Sequence, residues 1–192
     1  MSAALEHPIG PTTVEDWLTR EHPTDGARLE LILGYLHVNP PPSGQHQKAT
    51  FRLARVLEDA LHDAGRTDLH VLPGVGVEIS TPWRTALIPD IAILNTKPVG
   101  PCFRPENLLL AVEIWSPGNS RTEQETKTAA YAGANVPYFW SVNQDRIGTI
   151  TVTSHRLNDG RYVEECTATP GAEVTFEAAP VPVTFDPARL LP

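Results

Sequence analysis

Apolar positions along this chain fall into two kinds of pattern. The runs Leu87-Ile88-Pro89-Asp90-Ile91-Ala92-Ile93-Leu94 and Leu108-Leu109-Leu110-Ala111-Val112-Glu113-Ile114-Trp115 are nearly continuous in apolar character. Such runs predict central strands buried on both faces. Leu53, Leu57, Ala60, Leu61 and Ala64 instead recur at helical spacing. With the breaker-rich stretch Pro40 to Gly44 before them and Gly65 after, they predict a helix over about 45–64. Residues 28–38 read as a β-hairpin with Gly34 near its turn. Thr12 with Glu15 three positions later predicts a capping box that opens a short helix through about Arg20. Residues 69–79 form a strand region that Gly74 and Gly76 weaken or bulge. Gly74-Val75-Gly76 lacks the further glycine and the helix start of a phosphate loop. A helix follows at about 120–134, then a strand from Val136 to Val142. Ile147 to Ser154 and Tyr162 to Thr167 alternate like antiparallel strands. After Ala178 the chain is proline-rich and extended, with a short turn at Asp186 to Leu190. The sum is a mixed α/β (α+β) core with antiparallel additions.

Length and charge then narrow the classes. A chain of 192 residues suits one domain, divided as an extension over 1–13, a core over 14–178 and a tail over 179–192. That size buries about 70% of the unfolded surface, so no disulfide or metal is needed for folding. The longest apolar stretches are strand-sized, and no membrane partner is expected. Met1 to His7 show no basic segment followed by an apolar run, so no secretory signal is visible. Cys102 and Cys166 lie far apart and match no metal-ligand spacing. They are expected to remain thiols, which implies a cytoplasmic location. A net charge of −8 argues against a tight, non-specific grip on bare duplex DNA. Lys48, Arg52 and Arg55 share a face of the long helix; a solvated face and a phosphate contact are the two readings of that stripe.

The candidate chemistry sits inside the apolar runs. Asp90 and Glu113 each put a carboxylate where burial costs several kcal/mol unless a partner is supplied. One such acid is usually solvent-facing or half of an ion pair. Two of them, followed by Lys127 on the next helix, supply the parts for metal-assisted hydrolysis of a phosphodiester. Magnesium prefers oxygen ligands and takes only one or two protein carboxylates, which Asp90 and Glu113 would meet. The backbone carbonyl of Ile114 would add a third oxygen, and Lys127 would orient water or stabilise charge on the phosphate. Glu123, Lys127 and Tyr131 share one helix face, which is equally the pattern of an exposed, decorative stripe. Two further readings stand beside this one. One is an interaction or regulatory module without catalysis; the other is a glycosidase pair of acids, which leaves Lys127 unused.

The order Pro89-Asp90, Glu113-Ile114-Trp115-Ser116-Pro117, then Glu123, Lys127 and Tyr131 resembles the Uma-type putative restriction endonucleases of the PD-(D/E)XK nuclease superfamily. Leu29 to Leu36, Pro42 to His46 and Val136 to Trp140 resemble that family's hairpin, the start of its long helix and the strand after its lysine helix. The likeness covers about residues 14–145. It implies a restriction-endonuclease-like mixed sheet flanked by helices, and a Mg²⁺-dependent endonuclease acting on DNA, with Mn²⁺ as a substitute. By resemblance, Asp90 and Glu113 are metal ligands and Glu30 helps arrange the site. Trp115 stands where the superfamily usually has its lysine, and Lys127 would replace it. Glu123, Tyr138 and Asn143 each stand where the family commonly has Asp or another acid. The roles of Glu123, Tyr131 and His46 stay open. A homodimer is expected, because cutting two strands favours a two-fold pair of sites.

Overall fold

The computed structural model describes residues 9–191, except 22, 146 and 148. The chain builds α1 (Val14–Thr19), a hairpin of β1 (Arg28–Ile32) and β2 (Tyr35–Asn39), α2 (Gly44–Asp63), β3 (His70–Pro73), β4 (Gly76–Ser80), β5 (Thr85–Leu87) and β6 (Ile91–Leu94). It continues with β7 (Cys102–Phe103), β8 (Leu108–Trp115), α3 (Arg121–Gly133), β9 (Tyr138–Gln144), β10 (Ile150–Asn158), β11 (Arg161–Ala168), β12 (Val174–Phe176) and β13 (Val183–Phe185). Short 3-10 turns occupy Pro105–Asn107 and Pro187–Leu190.

Two sheets result. One has the order β2-β1-β5-β4-β7, the other β11-β10-β9-β8-β6-β3, and β12 with β13 makes a separate ribbon. β8 and β9 run parallel, joined across by α3, while β6 and β8 are antiparallel neighbours. The alternation of β8 sorts its side chains between two layers. Leu110, Val112 and Ile114 pack with Leu53 and Leu57 of α2. Ala111 and Trp115 pack on the other face with Tyr131 of α3 and Phe139. Glu113 shares that second face, so the strand's own period delivers it to α3.

Several local expectations shift by physical causes. The capping box is Thr13 with Asp16, not Thr12 with Glu15: Thr13 Oγ1 accepts from the Asp16 amide and Asp16 Oδ2 from the Thr13 amide. The hairpin turns through Leu33 and Gly34, both at positive φ (50° and 78°), the geometry of a two-residue turn matched to strand twist. The run over 69–79 is two strands in different sheets, separated at Gly74 with φ +64°. The run over 87–94 is also two strands. β5 ends at Leu87 in one sheet and β6 begins at Ile91 in the other. Pro89 has no N–H for a ladder, and the Ile88 amide donates to Glu30 Oε1 rather than to a strand. Asp90 therefore stands in the step between sheets rather than inside a strand.

The proline-rich end covers one face of the core. Phe176, Val183, Phe185 and Leu190 join the cluster that α2 and β8 build, and the Trp140 indole donates to the Ala178 carbonyl at 2.7 Å. Among the described residues no helix is long and apolar enough to cross a membrane.

Candidate active site

β8 runs three residues past its last pair with β6, Ile91 with Val112. The freed Ile114 amide finds the side chain of Asp90 and donates to Oδ2 at 2.7 Å. The step between sheets thus aims Asp90 at the end of β8, beside Glu113. α2 supplies the next donor. Ser43 caps the helix by accepting from the His46 amide, and the His46 ring places Nε2 3.1 Å from Asp90 Oδ2. A carboxylate only accepts, so Nε2 carries the proton. Thr50, one turn on, donates to the His46 carbonyl at 2.9 Å and lies 3.4 Å from Nδ1. Arg28, opening β1, places Nη1 2.5 Å from Asp90 Oδ1.

Glu30, Glu113 and Lys127 form the other half. Lys127 Nζ lies 3.0 and 2.7 Å from the two oxygens of Glu30 and 3.5 Å from Glu113 Oε1. Glu30 also accepts from the Ile88 amide at 2.8 Å and from the Asn39 side chain at 2.6 Å. The Tyr131 hydroxyl donates to Glu113 Oε1 at 2.8 Å. The contacts of Tyr131 and Lys127 to Glu113 both fall on Oε1. Glu30, Glu113, Asp90 and Lys127 are only 1, 3, 4 and 5% exposed. The helix stripe of Glu123, Lys127 and Tyr131 is therefore not a decorative surface. Lys127 turns inward to Glu30 and Glu113, while Glu123 accepts from Asn119 at 3.0 Å at the rim.

The electrostatics follow from that burial. Burial opposes ionisation of Asp90, but the His46 hydrogen bond, the Arg28 charge and the Ile114 amide together hold it below the usual carboxylate range. Burial pushes the Glu113 carboxyl up to about 8; Lys127 opposes the rise, and Asp90 and Glu30 add to it. Burial would also lower the Lys127 ammonium, yet Glu113 and Glu30 outweigh it and raise its pKa above the ordinary value. Tyr131 is raised well above its own by burial and by Glu113, so it acts as a neutral donor.

Arg28, His46, Asp90, Glu113, Trp115, Glu123 and Lys127 line one cleft of about 330 Å³, walled on one side by Pro40 to Ser43. Every sequence-derived site residue is either in this cleft or bonded to a residue that is. Ile114 enters through its amide; within an extended strand a residue's N–H and C=O face the same edge, so its carbonyl faces the edge where Asp90 lies. Arg28, Asn39 and Thr50 had no signal in the sequence. Their partners are fixed by hairpin register and by the helix start, not by spacing along the chain.

Among the described residues no group of three or more His, Cys, Asp and Glu side chains is arranged to hold a metal ion. A hard cation asks for less. It takes one or two carboxylates and completes its shell with waters and backbone carbonyls. Asp90 and Glu113 meet that demand, since both carboxylates line the same cleft. The donor set fits magnesium or manganese.

A family described as a putative restriction endonuclease, Uma2, matches residues 14–185. The crystal structure of a putative nuclease belonging to DUF820 from Anabaena variabilis shares the fold, with a TM-score of 0.67 over 94% of this chain and 97% of that chain, at 18% identity. No curated protein matches the chain.

Proposed function

The chain belongs to the Uma2 family of putative restriction endonucleases, and from that premise we propose that it is a divalent-metal-dependent endonuclease hydrolysing DNA phosphodiester bonds. One observation carries the reading: Asp90, from the step that leads into β6, and Glu113, from the neighbouring strand β8, meet in a single cleft with a buried ammonium held beside them. Asp90, Glu113 Oε2 and the Ile114 carbonyl would hold Mg²⁺ or Mn²⁺. The ion, when bound, supplies Lewis acidity toward phosphate oxygens and a lowered pKa for bound water. The protein's own groups do the rest. Lys127 stays protonated, so it serves as a fixed positive charge facing charge developed on the phosphate, not as a base. Glu30, which accepts from Asn39, holds Lys127 in place. Tyr131 orients Glu113 through Oε1. His46 and the Ile114 amide fix Asp90 through Oδ2.

The alternative, a catalytically silent interaction module, is favoured by a different fact. Asp90 is already satisfied by Arg28, His46 and the Ile114 amide without any metal. Incubation with supercoiled plasmid separates the two. The endonuclease should give nicked and linear products with Mn²⁺ or Mg²⁺ and none in EDTA, and Asp90→Asn should reduce the rate by a factor of about 100 or more. Equal nicking by Asp90→Asn and the wild type would remove the site from the reaction and leave the silent module. A homodimer acting in the cytoplasm is part of the proposal. Two copies would present two sites to two strands, and the free thiols of Cys102 and Cys166 suit a reducing compartment. Sedimentation of the purified protein tests the pairing; a concentration-independent monomer would end it.

A further inference from the structure

The two oxygens of Asp90 are held in different ways. Oδ2 accepts from the Ile114 amide, which belongs to the backbone of β8, and from His46, which the helix cap and Thr50 tether. The Ile114 amide cannot leave without unmaking the end of β8, and the His46 ring, short-stemmed on the capped first turn of α2, has Thr50 Oγ1 3.4 Å from its other nitrogen. Oδ1 is held by Arg28, whose long side chain is 25% exposed while the Asp90 side chain is 5% exposed. Its guanidinium lies over Gly74, where an added Cβ would come 3.6 Å from Nη2, so only a glycine surface borders it on that side. The other cation of the cleft is immobile by comparison. Lys127 is clamped by both oxygens of Glu30 and is 5% exposed.

Resting on the nuclease reading, we propose that Arg28 is the resident counter-ion of the metal-free site, that a divalent cation competes with it for Asp90 Oδ1, and that the displaced guanidinium becomes a binding group for the DNA phosphate. The chemistry on each side is matched. A carboxylate oxygen that accepts from a guanidinium is also a hard-cation ligand. A guanidinium released from a carboxylate keeps a fork of donors suited to phosphate oxygens. The exchange keeps charge in the cleft nearly balanced at each stage. Without metal, Arg28 neutralises Asp90; with metal and DNA, the ion neutralises the carboxylates and Arg28 faces the added phosphate.

Mn²⁺ alone, titrated against the full chain and followed by the signal of the free ion, tests the competition. Arg28→Gln should bind Mn²⁺ about tenfold more tightly than the wild type, since a charge-assisted hydrogen bond no longer has to be broken. Arg28→Lys should fall between the two. The same Arg28→Gln protein, saturated with Ca²⁺, should bind a short fluorescent duplex at least about fivefold more weakly. An Mn²⁺ site that needs Asp90 but is indifferent to both Arg28 variants would overturn this proposal alone. Equal Mn²⁺ affinity of the wild type and Asp90→Asn would overturn the nuclease reading and this inference with it. Should neither variant fold, the wild type decides: the guanidinium ¹⁵N resonances of Arg28 must shift on saturation with Mg²⁺, and unchanged resonances defeat the exchange.

Discussion

At the scale of residues, the cleft is a case of charges retained in a place hostile to them. Lys127 has two acids within reach, and removing it leaves Glu30 and Glu113 facing each other without a counter-charge. Breaking a buried ion pair from one side costs about 3–5 kcal/mol. Lys127→Met should lower the unfolding free energy in urea by that amount, and adding Glu30→Gln should restore part of it. A Lys127→Met protein as stable as the wild type would mean that Glu30 and Glu113 need no ammonium. Tyr131→Phe removes one donor from Glu113 Oε1 and should cost about 1–2 kcal/mol in the same assay. His155 is a titrating group outside the cleft. Its Nδ1 donates to the Phe139 carbonyl, and burial lowers its pKa below 6.5 despite that bond and Glu164. The unfolded chain then binds more protons than the folded one between the lowered value and 6.5. Stability is full above pH 6.5 and declines as pH falls through that window. His155→Gln should flatten the decline between pH 7 and pH 5, measured as urea midpoints; an unchanged slope would assign the decline elsewhere.

Elements decide where those residues point, and some of them rest on single backbone positions. Gly34 turns the hairpin that carries Arg28, Glu30 and Asn39 into the cleft. Its φ is +78°, and a Cβ there would meet the Gly10 carbonyl oxygen at 2.3 Å. The Thr12 amide also donates to the Gly34 carbonyl. Gly34→Ala must bear the left-handed backbone, about 1–3 kcal/mol, together with that backbone clash. It should lower the thermal midpoint and loosen the hairpin. A wild-type melting temperature would show that the turn relaxes freely. The elements whose identity was legible are those with one unbroken pattern. β8, α2 and α3 stand where apolar runs and helical spacing place them, and Glu113 and Lys127 came with them. Asp90 was legible as a buried acid but not as the step between sheets. An apolar run shows burial and not which sheet is being filled, and only the ladder shows that β5 and β6 have different neighbours. Arg28 was illegible for a related reason. It is 62 positions from Asp90, and nothing local marks a first strand residue as a partner for a carboxylate that far along the chain.

The molecule as a whole holds this cleft at one end of a core closed by the chain's own final segment. β8 and β6, which deliver Glu113 and Asp90, share a cluster with α2 and with residues 174–190. Composition marked that segment only as proline-rich and extended, because prolines set its backbone while its scattered apolar residues form no long run. In the structure Val181, Val183, Phe185 and Leu190 are all buried, and Trp140 on β9 stacks with Phe185 and meets Phe176 at a tilt. Burying side chains of this kind contributes about 1.5–3 kcal/mol each. Together they are comparable with the 5–15 kcal/mol that holds a typical domain folded. Phe185→Ala alone should therefore cost about 3–5 kcal/mol. Truncation after Ala178 should abolish cooperative unfolding and shift tryptophan emission to the red as Trp140 meets water. It should also remove metal binding at a cleft the segment never touches, because α2 and β8 lose the layer that clamps them together. A truncated chain that unfolds cooperatively at the wild-type midpoint would show that residues 179–192 are a cover the core does not require.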